Sequence, residues 1–131
     1  MQNGSKTYRT LLIDDNEAFL TLAMHLLKAN PRIEIVGRGY TGFDAVRLAE
    51  SLKPELILMD LSMPGMGGLQ ATRLIKAQDT PPIIFIASHH NDAEHREHSA
   101  RAGADGFLSK QDFDTTIDGL LDTVSLESAH G

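Results

Sequence analysis

Short apolar runs alternate along this chain with longer segments of helical period. The first run is Leu11-Leu12-Ile13, and it stops at Asp14-Asp15-Asn16. Phe19, Leu22, Ala23, Leu26 and Leu27 then recur at the i, i+3, i+4, i+7, i+8 spacing of an amphipathic helix, which Asn30-Pro31 ends. Ile33 to Val36 reads as a second strand, and the nearby charges Arg32, Glu34 and Arg38 mark it as an edge. A helix follows with Ala45, Leu48, Ala49 and Leu52 on one face. Thr41 and Asp44 form a capping box at its start, and Lys53-Pro54 stops it. Leu56-Ile57-Leu58-Met59 is the strongest central strand and ends at Asp60. A glycine-rich loop, Met63-Pro64-Gly65-Met66-Gly67-Gly68, leads to a helix carrying Ala71, Leu74 and Ile75. Pro81-Pro82 opens a fourth strand, Ile83 to Ala87, which ends at Ser88. Asn91 and Glu94 suggest a capping box for a fourth helix, Ala93 to Ala102, that has almost no large apolar residue. Gly106 to Ser109 is a short fifth strand ending at Lys110. The last helix carries Phe113, Ile117, Leu120, Leu121 and Val124.

Five strand–helix units result. Strands one, three and four are apolar on both faces, as in a parallel sheet covered by helices on both sides. Right-handed crossovers then give a three-layer, doubly wound α/β sandwich of five parallel strands and five helices. Strands two and five suit the edges, which fits the flavodoxin-like order 2-1-3-4-5.

With 131 residues the chain is long enough for one domain, expected over residues 7–126. Residues 1–6 and 127–131 read as polar tails, the second one a place where a linker to an absent output domain would begin. The net charge of −6 argues against non-specific binding to nucleic acid or an acidic membrane through this chain's own field. With no cysteine, disulfides and thiolate metal sites are excluded. No apolar run approaches the ~20 residues that span a bilayer. The first ten residues are polar and lack a signal-peptide core, so a cytoplasmic location is expected.

In an open parallel sheet, ligands bind beyond the carboxyl ends of the strands. The residues there are Asp14 and Asp15 after strand one, Asp60 after strand three, Ser88 with His89 and His90 after strand four, and Lys110 after strand five. Three converging carboxylates repel one another, and a hard divalent cation relieves that. Oxygen ligands without cysteine favour Mg2+, with Mn2+ as the alternative, and magnesium shares its shell with phosphate oxygens. Asp60, beside small residues that leave an incoming group room, is the candidate nucleophile toward phosphorus. Metal at Asp14 and Asp15, the Lys110 charge and a hydrogen bond from Ser88 would supply positioning and neutralisation.

Each residue also has a plainer reading. Asp14 and Asp15 are good helix caps, Ser88 is an ordinary strand-end hydroxyl, Phe107 a core aromatic, and Lys110 a surface lysine. His89, His90, His95 and His98 tempt a zinc reading, against which stands the plainer one of a solvated polar helix with no evident second shell.

Taken in order, Leu12-Ile13-Asp14-Asp15-Asn16, Leu58-Met59-Asp60-Leu61-Ser62-Met63-Pro64-Gly65, Ala87-Ser88 and Gly103-Ala104-Asp105-Gly106-Phe107-Leu108-Ser109-Lys110 resemble the receiver domains of two-component response regulators, the CheY-like fold. Ile33 to Gly37 and Ala102 to Gly106 resemble receivers of the LuxR/NarL type. The resemblance implies that Asp60 is the phosphoacceptor, fed by a phosphohistidine on a sensor histidine kinase or by a phosphotransfer protein. It implies that Asp14, Asp15, Asp60 and the backbone carbonyl of Ser62 hold magnesium, and that Lys110 contacts the phosphoryl group or Asp60. Ser88 and Phe107 would be the switch pair, Ser62 and His90 would tune hydrolysis, and the face of helix four, strand five and helix five would change partners. A homodimer fits such a chain, and DNA would be reached only through an output domain outside it. The protein would be a switch rather than an enzyme turning over an external substrate.

Three departures stand out. Gln111 follows Lys110 where many receivers have proline, which leaves that peptide's geometry open, because a cis bond without proline costs several kcal/mol. Gly67 stands where Asp or Asn is usual, and His89-His90 follow Ser88. Competing functions are a phosphorylation-independent interaction module, an aspartyl phosphatase and a flavin site. The phosphatase needs a second Asp where Ser62 stands. The flavin site needs a Ser/Thr-rich loop where Asp14-Asp15-Asn16 stands.

Overall fold

The computed structural model describes residues 6–90 and 92–130, with side chains described to residue 125. In chain order the elements are β1 (Tyr8–Ile13), α1 (Glu17–Leu27), β2 (Ile33–Gly39), α2 (Gly42–Leu52), β3 (Leu56–Asp60), α3 (Gly68–Lys76), β4 (Ile83–Ser88), α4 (Ala93–Ala102), β5 (Gly106–Ser109) and α5 (Phe113–His130). The strands form one parallel sheet in the expected order β2-β1-β3-β4-β5.

Side chains alternate across a strand, so the central strands feed two cores. Leu12, Leu58 and Phe85 face Leu20, Ala23 and Leu27 of α1 and Phe113, Ile117 and Leu121 of α5. Leu11, Ile13, Ile57, Met59, Ile84 and Ile86 face Ala45 and Ala49 of α2 and Ala71 and Ile75 of α3. Every residue of β3 is buried, and each large aliphatic there contributes about 1.5–3 kcal/mol of transfer free energy.

Several expectations need correction. β1 begins three residues before Leu11, because the hydroxyls of its buried Tyr8 and Thr10 have hydrogen-bond partners. Thr10 donates to the Tyr8 carbonyl at 2.9 Å, and the Tyr8 hydroxyl lies 2.8 Å from that of Ser125. β2 runs on to Gly39, past a register shift opposite Thr10/Leu11. Leu22 is 48% exposed, since it lies about 130° round α1 from the middle of the stripe that Leu20, Ala23 and Leu27 bury. Leu74 is likewise exposed, and Thr72 takes the inward place with Ala71 and Ile75. Asp92 caps α4 by accepting the His95 N–H at 2.9 Å, and Asn91, expected in that role, lies outside the described residues. α5 continues to His130, so residues 127–130 are helical rather than a tail.

The Thr41–Asp44 box is half formed. Thr41 Oγ1 accepts the Asp44 N–H at 3.0 Å, and Asp44 reaches back to the N–H of Tyr40 rather than of Thr41. α4 buries only Ser99 and Ala102.

Candidate functional site

The parallel register brings the strand ends to one level. Ile13 lies opposite Met59, Asp60 opposite Ala87, and Ser88 opposite Ser109. Asp14, Asp60, Ser88 and Lys110 therefore stand on one rim, and all four are buried.

Asn16, not Asp14 or Asp15, caps α1 by accepting the Phe19 N–H at 3.0 Å. Asp14 Oδ1 accepts the Asn16 N–H at 2.9 Å, and Asp14 Oδ2 accepts from Lys110 Nζ at 2.5 Å. The same ammonium lies 2.9 Å from Asp60 Oδ1. Asp15 is exposed, yet Asp14, Asp15 and Asp60 each offer a carboxylate oxygen within 4.8 Å of the other two.

Burial pushes the Asp60 carboxyl above the usual carboxylate range. The hydrogen bond from Lys110 opposes that push, and the charges of Asp14 and Asp15 reinforce it. Burial also disfavours the Lys110 ammonium, but its bonds to Asp14 and Asp60 outweigh that and hold it above an ordinary lysine. One cation thus serves a dense cluster of negative charge. Oxygen donors in this arrangement suit a hard divalent ion, which would relieve the repulsion that one lysine leaves.

The strand ends are pinned by backbone bonds. The Lys110 N–H donates to the Ser88 carbonyl at 2.9 Å, and no peptide bond among the described residues is cis, so Gln111 follows Lys110 in trans. The Ser88 hydroxyl accepts the His90 N–H at 3.0 Å. Beyond Asp60 the loop folds back tightly, with Gly68 N–H donating to the Leu61 carbonyl at 3.0 Å. A Cβ on Gly68 would stand 2.0 Å from the Asp60 carbonyl oxygen, so only glycine fits there. Gly67 is the N-cap of α3 and offers no side-chain cap, the structural consequence of the missing Asp or Asn.

Ser62 is exposed in this loop, two residues past Asp60. Phe107 is half-buried on β5 against the α2–α3 core, with the Arg96 guanidinium 5.6 Å from its ring centre. His90 is exposed, and its ring stacks on His95 at 5.0 Å, while His95 Nδ1 bonds Asp92. Among the described residues, the acidic trio is the group of three or more metal-type ligands that converges. The histidines do not form one.

Two relationships escaped sequence reading. Lys110 Nζ sits over the Phe19 ring, 4.6 Å from its centre. Asp105 Oδ2 accepts from the Ile84 N–H at 2.9 Å and from Lys76 Nζ at 2.8 Å, which ties α3, β4 and the start of β5 together. An acid just ahead of a strand was the available signal for Asp105. Phe19 gave none beyond its place in the apolar stripe.

Residues 10–120 match the family model described as the response regulator receiver domain. The transcriptional regulatory protein DegU of Brevibacillus brevis is 33% identical over 130 residues, covering 99% of this chain and 54% of DegU. The nitrate/nitrite response regulator protein NarL of Escherichia coli (strain K12) is 39% identical over 100 residues, covering 76% of this chain and 46% of NarL. The chain thus spans about half the length of these relatives. Protein-glutamate methylesterases also match, over a smaller share of their length. Among solved structures, the signal receiver domain of the putative response regulator NarL from Mycobacterium tuberculosis superposes with a TM-score of 0.78 at 27% identity. It covers 96% of this chain and 98% of that one.

Proposed function

Because the chain belongs to the family of response regulator receiver domains, we propose that it is a phosphorylation-controlled switch whose Asp60 accepts a phosphoryl group from a phosphohistidine of a sensor kinase or phosphotransfer protein. A carboxylate oxygen of Asp60 attacks phosphorus. The bond from phosphorus to the donor's imidazole nitrogen breaks, the imidazole leaves with the electron pair, and Asp60 carries an acyl phosphate.

The observation that carries this reading is the Lys110 ammonium, buried and shared between Asp14 Oδ2 and Asp60 Oδ1 inside a carboxylate trio. Charge neutralisation and positioning are what phosphoryl transfer asks of a protein. Asp14, Asp15, Asp60 and the Ser62 carbonyl would hold Mg2+, or Mn2+ in its place. The ion would neutralise the charge that builds on the phosphoryl oxygens. Lys110 exchanges its bond to Asp60 for one to the phosphoryl group. Ser88 Oγ, which now accepts from His90, keeps its own O–H for a phosphoryl oxygen. Phe107, half-buried one strand over, follows Ser88 inward, and the α4–β5–α5 face changes with it. Ser62 and His90 would set the access of water to the acyl phosphate.

No helix among the described residues is long and apolar enough to cross a membrane. The switch acts as a non-enzymatic relay in the cytoplasm, and control of DNA falls to an output domain, as the regulators among its relatives suggest.

Incubation with acetyl phosphate and Mg2+ followed by intact-mass analysis tests the reading. The expected result is one phosphoryl adduct on the wild type and none on Asp60→Ala. An unmodified wild type would leave a phosphorylation-independent interaction module as the function, and an equal adduct on Asp60→Ala would overturn Asp60 as the acceptor.

A further inference from the structure

We propose that Phe19 is a positioning residue for phosphoryl transfer, an aromatic platform that keeps the Lys110 ammonium over the acidic trio while its hydrogen bonds change. This deepens the reading of Asp60 as phosphoacceptor and rests on it.

An ammonium has three N–H donors and no acceptor. Two directions at Lys110 Nζ are taken by Asp14 Oδ2 and Asp60 Oδ1. The third neighbour is the face of Phe19, 4.6 Å from the ring centre and well inside the range of cation–π attraction. The ring itself is held from two sides. Its backbone N–H is the group that Asn16 caps at 3.0 Å, which fixes where the first turn of α1 begins. The ring also meets Phe113 of α5 in a T-shaped contact at 5.3 Å and 62°, and Phe113 is buried three residues after Lys110. Phe19 therefore links the segment that carries Asp14 to the segment that carries Lys110.

The chemistry needs such a contact. When Asp60 becomes an acyl phosphate, Lys110 must leave its carboxylate oxygen and find a phosphoryl oxygen. A hydrogen-bond acceptor in place of Phe19 would hold the ammonium in one direction. A π face attracts it with little directional demand, and it also keeps water off a side where water would screen the charge. The bond to Asp14 and the ring then stay constant while the third contact changes.

A purely structural role for Phe19, filling space between α1 and α5, makes a different prediction. Phe19→Leu keeps an apolar side chain but removes the π face, and Phe19→Tyr keeps the face. The initial rate of adduct formation with acetyl phosphate and Mg2+ is measured by intact mass for wild type and both variants. Urea unfolding identifies any loss of fold, and Phe19→Met replaces Phe19→Leu if the latter does not fold. The expected result is a slowing of about three- to tenfold for the aliphatic variant, with Phe19→Tyr within about twofold of wild type. An aliphatic variant at the wild-type rate, or two variants that slow alike, overturns the inference while leaving Asp60 as acceptor. A wild type that forms no adduct overturns the functional reading itself.

Discussion

Gly68 and Asp60 touch backbone to backbone: a Cβ built on Gly68 would stand 2.0 Å from the Asp60 carbonyl oxygen and 3.2 Å from the Leu61 Cα. Neither atom belongs to a flexible side chain, so neither yields cheaply. Gly68→Ala is expected to cost about 1–3 kcal/mol as an overpacking change and to displace Asp60, slowing adduct formation. At the adjacent Gly67 the nearest atom to a Cβ is 3.6 Å away. Gly67→Asn restores a side-chain cap to α3 and is expected to stabilise by a few tenths of a kcal/mol. Urea unfolding midpoints of the two variants check both signs.

Asp60 is held against its preference. Burial raises its pKa, with Asp14 and Asp15 adding to the rise against the pull of Lys110. A carboxyl whose folded pKa lies above its unfolded value binds protons more tightly when folded. Its contribution is therefore neutral below the unfolded pKa, turns destabilising as pH rises above it, and reaches its full cost above the folded pKa. Asp60→Asn is expected to unfold at a higher temperature than wild type at pH 7, in the absence of divalent ions, and the gap should narrow toward acid. Mg2+ should raise the wild-type midpoint and leave that of Asp60→Asn less changed. Equal midpoints at pH 7 would contradict the charge burden assigned to Asp60.

Lys110→Met removes the cation that bridges Asp14 and Asp60. Breaking a buried ion pair from one side costs roughly 3–5 kcal/mol, so the metal-free variant should be markedly less stable. Its Mg2+ affinity should move the other way, tightening by about tenfold, because a positive charge next to the ion's site has gone. Calorimetric titration with Mg2+ measures this directly, and weaker binding by the variant would contradict the assignment of the ion to this trio.

α4 should open more readily than any other helix. Its burial is limited to Ser99 and Ala102, both in its C-terminal half, where Gly103 in a left-handed conformation and the Asp105 bonds follow. α5, by contrast, anchors Phe113, Ile117, Leu121 and Val124. Native-state hydrogen exchange is expected to give the amides of α4 lower opening free energies than those of α1 or α5, lowest in its first turns.

Sheet order and the acidic rim were legible because both rest on local patterns. Apolar runs named the central strands, charged neighbours named an edge, and the strand ends named Asp14, Asp15, Asp60, Ser88 and Lys110. What escaped depends on rotation or on distant partners. Leu22 and Leu74 fit an apolar helical spacing read along the chain but lie outside the stripe that is buried, Leu22 about 130° from its middle, and spacing alone does not say which face turns inward. Tyr8 and Thr10 look wrong for a buried strand until their hydroxyl partners are known. Phe19 reads as core in any sequence window, since the ammonium that gives it a second task is 91 residues away by numbering, Lys110 against Phe19.

The two apolar compartments lie on opposite sides of one sheet and share no side chain. Phe107 and α3 belong to one, while Phe19, Phe113 and α5 belong to the other. The strands act as a partition, so a repacking around Phe107 on one side is not forced through to the Phe19–Phe113 packing that backs the acidic rim on the other.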